Sequence, residues 1–522
     1  MAVIEKLQGP PGTGKTRALI DRARREIESG VTPENIGYYS FTRAAAREAS
    51  RRISADGQFP HFRTIHSECF RLLGLTKEKV IAGAELRKFA QFFGYEISDF
   101  SEYQDDDKYE VRDRVLKTLG DYLLFFEGWR KNLLFDTEQA YRTFMRMEYL
   151  PLGWSLPVVI KFQERYDTYK KDNGLYDFSD MLIEVLRQGL TPGVRVLVLD
   201  EAQDCSPLQL RVIDLWLNGV ERHYIAGDPF QAIYQWQGSR PELFDAMQAD
   251  TYTLLNQSFR LPRQVYELSR QILAGTPSYR PRDAEGYVKR SPVQRALDVV
   301  EHLEGSAFLL VRNRYLLTAL VEDLYLRGVP FGNLRGSSPF RGEVADRVML
   351  LRRFLRNEPL PVSILTHLLD YIPQKPYLVR GLKAEIKRRA QDIPGDLVRL
   401  PSLLDKVTDA FIRLAGSEEY LDLLKMAPPH RAYFRRVITK HGEGALTARP
   451  LLMLGTIHSV KGMEADHVII LPDMARRTHE EAAGDSATEA RVWYVAVTRA
   501  RQGVIMVDSQ QMRSFQWPRN HK

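Results

Sequence analysis

Residues 9 to 16 read GPPGTGKT, a G-x-x-x-x-G-K-[ST] spacing that follows the short apolar run from Ala2 to Leu7 and precedes the helix-like TRALIDRARREIESG. Strand, glycine-rich loop and helix in that order build a phosphate cradle. Gly9, Gly12 and Gly14, with Thr13 among them, let the backbone turn tightly, so that its N–H groups and the start of the helix surround phosphate oxygens. Lys15 is expected to reach the β and γ phosphates, and Thr16 to offer its hydroxyl to Mg²⁺, which takes few protein oxygens and keeps several waters. A second acidic metal contact belongs at the end of a neighbouring buried strand, and VRVLVLDEAQD supplies it as Asp200. Glu201 then stands where a general base for the attacking water is needed. Alone, that pair would suit an acidic strand-to-loop turn equally well; beside the phosphate loop it reads as chemistry.

These residues need strands to hold them. Apolar runs at Ala2–Leu7, 36–42 (IGYYSFT) and 194–200 (VRVLVLD) alternate with helix-like stretches such as AAAREASRRI, which implies a parallel sheet covered on both faces. Between them, residues 76 to 175 lose strand-like runs and show helical periodicity, many aromatics and the acidic turn YQDDDKY. A second set of strands and helices begins near 266, includes SAFLLVRNRY, and resumes near 448 with RPLLMLGTIHSVKG, DHVIILP and GVIMVD. Residues 356 to 447 again have helical spacing. The plan predicted is an α/β chain of two sheet domains, each interrupted by a mainly helical insertion.

Bulk composition agrees. A chain of 522 residues suggests three to five domains at roughly 100 to 200 residues each, and 44% hydrophobic residues suffice for sizeable cores. No apolar run reaches a membrane span, and MAVIEKLQGP is not a signal peptide. Cys69 and Cys205 have no partner at metal-ligand spacing, so neither zinc nor a disulfide framework is indicated and a cytoplasmic protein is expected. The net charge of +7 suits a polyanionic partner without requiring one.

DEAQD resembles the D-E-x-Q-D form of the UvrD/PcrA/Rep-like superfamily 1 DNA helicases, and further family segments follow in order. GDPFQAIYQWQGS at 227 to 239 resembles GDxxQxIYxWxGA, NQSFR at 256 to 260 resembles xxNYR, and TIHSVKGMEADHVII at 456 to 470 resembles TxHxAKGLEFxxVxx. WYVAVTRAR at 493 to 501, FTRAAAREA at 41 to 49, TIHS at 64 to 67 and YDFSDML at 176 to 182 complete the resemblance. It implies two RecA-like P-loop motor domains, at 1–75 with 176–265 and at 266–355 with 448–522, and helical insertions at 76–175 and 356–447. It further implies that Gln231 senses the γ-phosphate, that Arg260 and Arg499 act as arginine fingers, that Glu464 meets the ribose, that Phe259 stacks on the base, and that Arg17 lies beside the nucleotide. Arginines are suited to the charge spread over a transferring phosphoryl group. Tyr234, Trp236 and Phe178 would stack on bases of any sequence, and Thr64, His66 and His458 would lie near the nucleic-acid backbone. Ordinary core packing for the aromatics, hydrogen-bonded structural roles for the histidines and surface ion pairs for the arginines remain open alternatives.

The function implied is an ATP- and Mg²⁺-dependent helicase or translocase on single-stranded DNA, running 3′ to 5′. Its partners would be DNA junctions and replication or repair proteins, and it would act as a monomer. An RNA-directed helicase and a nucleoprotein remodeller without strong unwinding are the alternatives. Several departures mark a reduced form. Eight residues precede the P-loop where the family carries an adenine-reading glutamine segment, leaving Gln8 as the nearest candidate; Ile65 replaces a phenylalanine and Gln237 an arginine. DMARRTHEEAAGDSAT, at 473 to 488, lacks the aromatic of a strand-separating hairpin. The second insertion is short, and no C-terminal nuclease is expected.

Overall fold

The computed structural model describes residues 3–40, 43–53, 59–98, 116–146, 150–334 and 343–518. Residues 41–42, the side chains of 43–45, 47 and 48, the acidic turn at 103–109 and the side chain of Gln237 lie outside that description.

Two six-stranded sheets, parallel throughout, organise the chain. The first contains β1 (Val3–Gln8), β2 (Ile36–Tyr39), β3 (Phe62–Arg63), β4 (Val196–Leu199), β5 (Arg222–Gly227) and β6 (Thr251–Leu254), in the order β3-β2-β4-β5-β1-β6. The second contains β7 (Tyr287–Ser291), β8 (Ala307–Val311), β9 (Phe331–Asn333), β12 (Leu452–Thr456), β13 (Ala465–Ile470) and β14 (Ala500–Val507), in the order β7-β14-β13-β8-β12-β9. All residues of β2, β4 and β8 are buried, as expected for strands covered on both faces by helices. Because all strands of a sheet run parallel, the loops that leave their carboxyl ends gather along one edge. That edge is where open α/β sheets hold ligands.

Residues between β3 and β4 form helices that include Gly83–Phe93, Leu119–Asn132, Thr137–Phe144 and Leu156–Asn173. They enclose a separate aromatic core in which Phe89, Phe126, Trp129, Phe144 and Phe162 are buried. The other insertion differs. Its helices, with the small antiparallel pair β10 (Leu360–Pro361) and β11 (Leu397–Val398), share one continuous core with a face of the second sheet, joining Leu309, Phe331 and Leu454 to Leu365, Leu421 and Phe434. It is therefore fused to the sheet it interrupts. No described helix is long and apolar enough to cross a membrane.

Candidate functional site

β1 ends at Gln8, and the loop that follows turns on Gly12 (φ 73°) and Gly14 (φ 83°), both in the left-handed region that favours glycine. Gly14 caps the helix Lys15–Glu28, placing Lys15 and Thr16 in its first turn. Lys15 Nζ donates to the Gly9 carbonyl at 2.7 Å, and the Thr13 hydroxyl donates to the Pro10 carbonyl at 2.8 Å. Thr16 Oγ1 donates to Asp200 Oδ2 at 2.8 Å across the sheet, and the Tyr38 hydroxyl reaches the same oxygen at 2.9 Å.

The strap 256–260 lies on this loop. Ser258 Oγ donates to the Pro11 carbonyl at 2.9 Å, and the Phe259 N–H donates to the Gly12 carbonyl at 2.8 Å. The fit is close enough that a Cβ on Gly12 would stand 2.4 Å from Arg260 Cβ. Phe259 is 66% exposed, with its ring beside Gly14, so it presents a free apolar face next to the phosphate loop. Arg17 is exposed on the same helix and pairs loosely with Asp21 at 4.0 Å.

Four carboxylates face this loop from the first sheet: the buried Asp200, Asp204 and Asp228, and the half-buried Glu201. Burial and the adjacent Glu201 charge raise Asp200 to about 6, and burial raises Asp204 to about 7 and Asp228 in the same direction. Glu201 moves the other way. Burial would raise it, but Lys15 and Lys461 outweigh that and hold it below the usual range, so it is ionised at neutral pH. Its backbone is left-handed (φ 56°), which costs a non-glycine residue roughly 1–2 kcal/mol and indicates a position fixed by its surroundings. Asp200 and Thr16 form an oxygen pair whose carboxylate, desolvated and raised, lacks a cation of its own. That donor set fits Mg²⁺.

Residues of the second sheet reach into this cluster. Arg499, only 2% exposed, donates from Nη2 to Gln231 Oε1 at 2.7 Å; burial and neighbouring Arg260 lower it to about 9. Gln231 Nε2 donates in turn to Asp228 at 2.6 Å. Arg260 is committed to Glu464 at 2.7 Å, and Arg501 holds the other oxygen of that carboxylate at 2.9 Å. Lys461 was not singled out by sequence, yet it spans the sheets: its ammonium donates to Asp204 and to the Gln231 carbonyl, each at 2.6 Å. It lies inside the quoted TIHSVKG, but only the second sheet's orientation reveals its reach. Asp204 was missed for the same reason, and Tyr38, Asp228 and Ser258 because their contacts with Asp200, Gln231 and the phosphate loop appear only once the first sheet is folded.

The structure therefore brings the nucleotide candidates together, from Gly9 to Arg17, with Asp200, Glu201, Gln231, Phe259, Arg260, Glu464 and Arg499. The nucleic-acid candidates fall into two groups. Thr64 caps the helix Ile65–Leu72 by accepting from Ser67 N at 3.2 Å; His66, in its first turn, meets Phe178 edge-on at 6.0 Å. Tyr234 and Trp236 are buried where the two sheets meet, with the Tyr234 hydroxyl on the His458 carbonyl at 3.4 Å. Trp236 faces Phe125 at 6.4 Å, and among the described residues its indole N–H has no partner; Ser239 Oγ and Thr456 Oγ1 on adjoining segments are likewise buried and unpaired among them. Tyr234, Trp236 and His458 do not face solvent in this state. Residues 473 to 488, whose missing aromatic the sequence exposed, carry the helix Arg476–Gly484, whose Arg477 touches the Tyr122 hydroxyl at 3.4 Å.

Comparison with known proteins agrees with this arrangement. Residues 6–252 match the model of the UvrD/REP helicase N-terminal domain, and residues 451–507 that of the UvrD-like helicase C-terminal domain. The chain is 22% identical to the putative ATP-dependent DNA helicase YjcD of Bacillus subtilis, over 96% of this chain and 77% of that protein. It is 26% identical to a probable DNA helicase of Mycoplasma pneumoniae over 50% of this chain, and 24% identical to the ATP-dependent DNA helicase Rep of Escherichia coli over 52%. The chain spans about half the length of these last two, 51% and 42% respectively.

Proposed function

Because the chain belongs to the UvrD/Rep-like helicase family, we propose that it is an ATP-driven motor moving along single-stranded DNA, 3′ to 5′, with strand separation as its output. The observation that carries this reading is the pair of bonds from Lys461 and Arg499 to Gln231, which tie the second sheet to the residue beside the phosphate loop.

In this reading Lys15 leaves the Gly9 carbonyl for the β and γ phosphates, and Gln231 and Arg499 turn from each other toward the γ-phosphate. Glu201, kept ionised by Lys15 and Lys461, accepts a proton from the attacking water. Arg260 must release Glu464 to act on the phosphates, which frees that carboxylate for the ribose. Phe259 packs on the base. Thr16 and Asp200 would hold Mg²⁺, which when bound neutralises phosphate charge. The exchanges at Gln231–Arg499 and Arg260–Glu464 break contacts with the second sheet's domain, so the cleft opens and closes with the nucleotide.

The nucleic acid would lie along Thr64, His66 and Phe178 on one side, and Tyr234, Trp236 and His458 on the other. The unpaired buried atoms of Trp236, Ser239 and Thr456 support a polar ligand there, since orphaned polar groups are costly unless something meets them. Opening of the junction is required for the rings of Tyr234 and Trp236 to stack on bases. Unwinding of 3′-tailed but not 5′-tailed duplexes is expected; unwinding confined to 5′ tails would reverse the polarity. Stimulation of hydrolysis by DNA but not RNA oligonucleotides is expected from the similarity to proteins named DNA helicases.

One observation favours a second reading, a remodeller that moves without opening duplex: residues 476–484 form a helix with no Phe, Tyr or Trp. Strand-displacement and protein-displacement assays on one tailed substrate separate the two.

A further inference from the structure

Helix Leu119–Asn132 of the first insertion touches the segments that bear the candidate nucleic-acid aromatics. Near its C-terminal end, Lys131 is buried and its ammonium lies 3.0 Å from Asp177 and 2.8 Å from Asp180. Lys170, buried on the helix Leu156–Asn173, reaches the same two carboxylates at 2.8 and 2.6 Å. Asp177 and Asp180 already form a reciprocal capping box at the start of helix Phe178–Gln188, each accepting the other's backbone N–H. That start needs no further partner. Two ammonium groups withdrawn from water to grip a satisfied cap add something else: they lock the insertion to the turn whose first helical residue is Phe178.

The cluster extends further, with three cations among four carboxylates. Glu127 takes Lys131 at 3.0 Å and Arg130 at 2.8 Å, Gln163 donates to Glu127 at 2.6 Å, and Asp167 meets Lys170 at 3.1 Å. Two turns earlier on the same helix, Phe125 lies parallel to Trp236. At the far end, Tyr122 meets Arg477 of the second sheet's own segment.

We infer that helix Leu119–Asn132 is the positioning element of the nucleic-acid track, with Lys131 and Lys170 fixing the turn that carries Phe178 and Phe125 backing Trp236. The inference rests on the reading above that these two aromatics meet nucleic acid. Lys131, Lys170, Asp180 and Phe125 are positioning residues; none touches the nucleotide cluster.

The test is ATP hydrolysis by the full chain against increasing single-stranded DNA. Deleting a lysine would strand buried charge and endanger folding. Asp180→Asn is milder: it keeps the size of the cap and removes one charge from the lysines' grip. Phe125→Leu removes the ring behind Trp236 and leaves the charges intact. Both are expected to keep basal hydrolysis within about twofold of the parent and to raise the DNA concentration for half-maximal stimulation at least threefold, as coupled neighbours typically do. Asp180→Glu, which restores the charge, should return most of the affinity. Parental DNA dependence in Phe125→Leu, and in Asp180→Asn where it folds, would overturn the inference. If the parent itself is not stimulated by nucleic acid, the functional reading fails first, and that outcome is visible before any variant is made.

Discussion

Lys15, Glu201 and Asp204 occupy one buried cluster and carry different consequences. Glu201 is the ionised member, held so by Lys15 and Lys461 against its burial. Its substitution by Gln keeps size and hydrogen bonding but removes the proton acceptor, so turnover should fall by about 10²–10⁴-fold while nucleotide still binds. Retention of full turnover would remove Glu201 from the general-base role. Asp204 has a native pKa of about 7, raised by burial, against an unfolded value of about 3.9. The folded chain therefore binds a proton that the unfolded chain has lost between about pH 4 and 7, and the stability this group contributes declines as pH rises through that window. Asp204→Asn has no such term. The difference in melting temperature, variant minus parent, should climb between pH 5 and 8; a flat difference would mean that Asp204 does not titrate there. Asp200 and Glu201 were legible because they end the apolar run VRVLVLD, a strand pattern that the sequence displays directly. Lys461 was not, because its role depends on a contact with Asp204 some 257 positions away.

Among the elements, legibility followed burial. β1, β4, β8, β12, β13 and β14 gave apolar runs because both faces of their sheets are covered. β6, TYTL, is an edge strand whose residues are mostly exposed, and β3 has only Phe62 and Arg63, so neither left a pattern to read. β5 begins with Arg222 and His223, which masked its apolar end. The alternation of apolar runs with helical stretches led to the two-sheet plan, but the fusion of the second insertion with its sheet needed the packing of Leu365, Leu421 and Phe434 to appear. The strap 256–260 is the element on which the nucleotide site most depends. Gly12→Ala combines a positive φ, worth roughly 1–2 kcal/mol of strain, with a clash at Arg260 Cβ. Nucleotide affinity should fall at least about tenfold in a fluorescent-nucleotide titration. An unchanged affinity would show that the strap does not shape the site.

Taken whole, the chain joins its two parallel sheets through an apolar cluster, in which Ile233, Tyr234 and Trp236 are buried with Ile457, Val460 and Trp493, and through polar contacts beside the phosphate loop. Lys461, Arg499 and Arg260 all cross or border the cleft and all engage groups that a nucleotide would claim. Such contacts are exchangeable, which a moving junction requires. Much of the charge excess lies in residues 343–446, with 18 Lys and Arg against 13 Asp and Glu, and suits a polyanion near the second sheet. The buried state of Tyr234 and Trp236 implies that nucleic acid and junction opening are linked, and hydrolysis should respond to the polymer. The decisive measurement is the steady-state ATPase rate at saturating Mg-ATP with and without a single-stranded DNA oligonucleotide, using Lys15→Ala to subtract contaminating activity. The account predicts stimulation of at least about tenfold that vanishes in the variant; equal rates with and without DNA would contradict it.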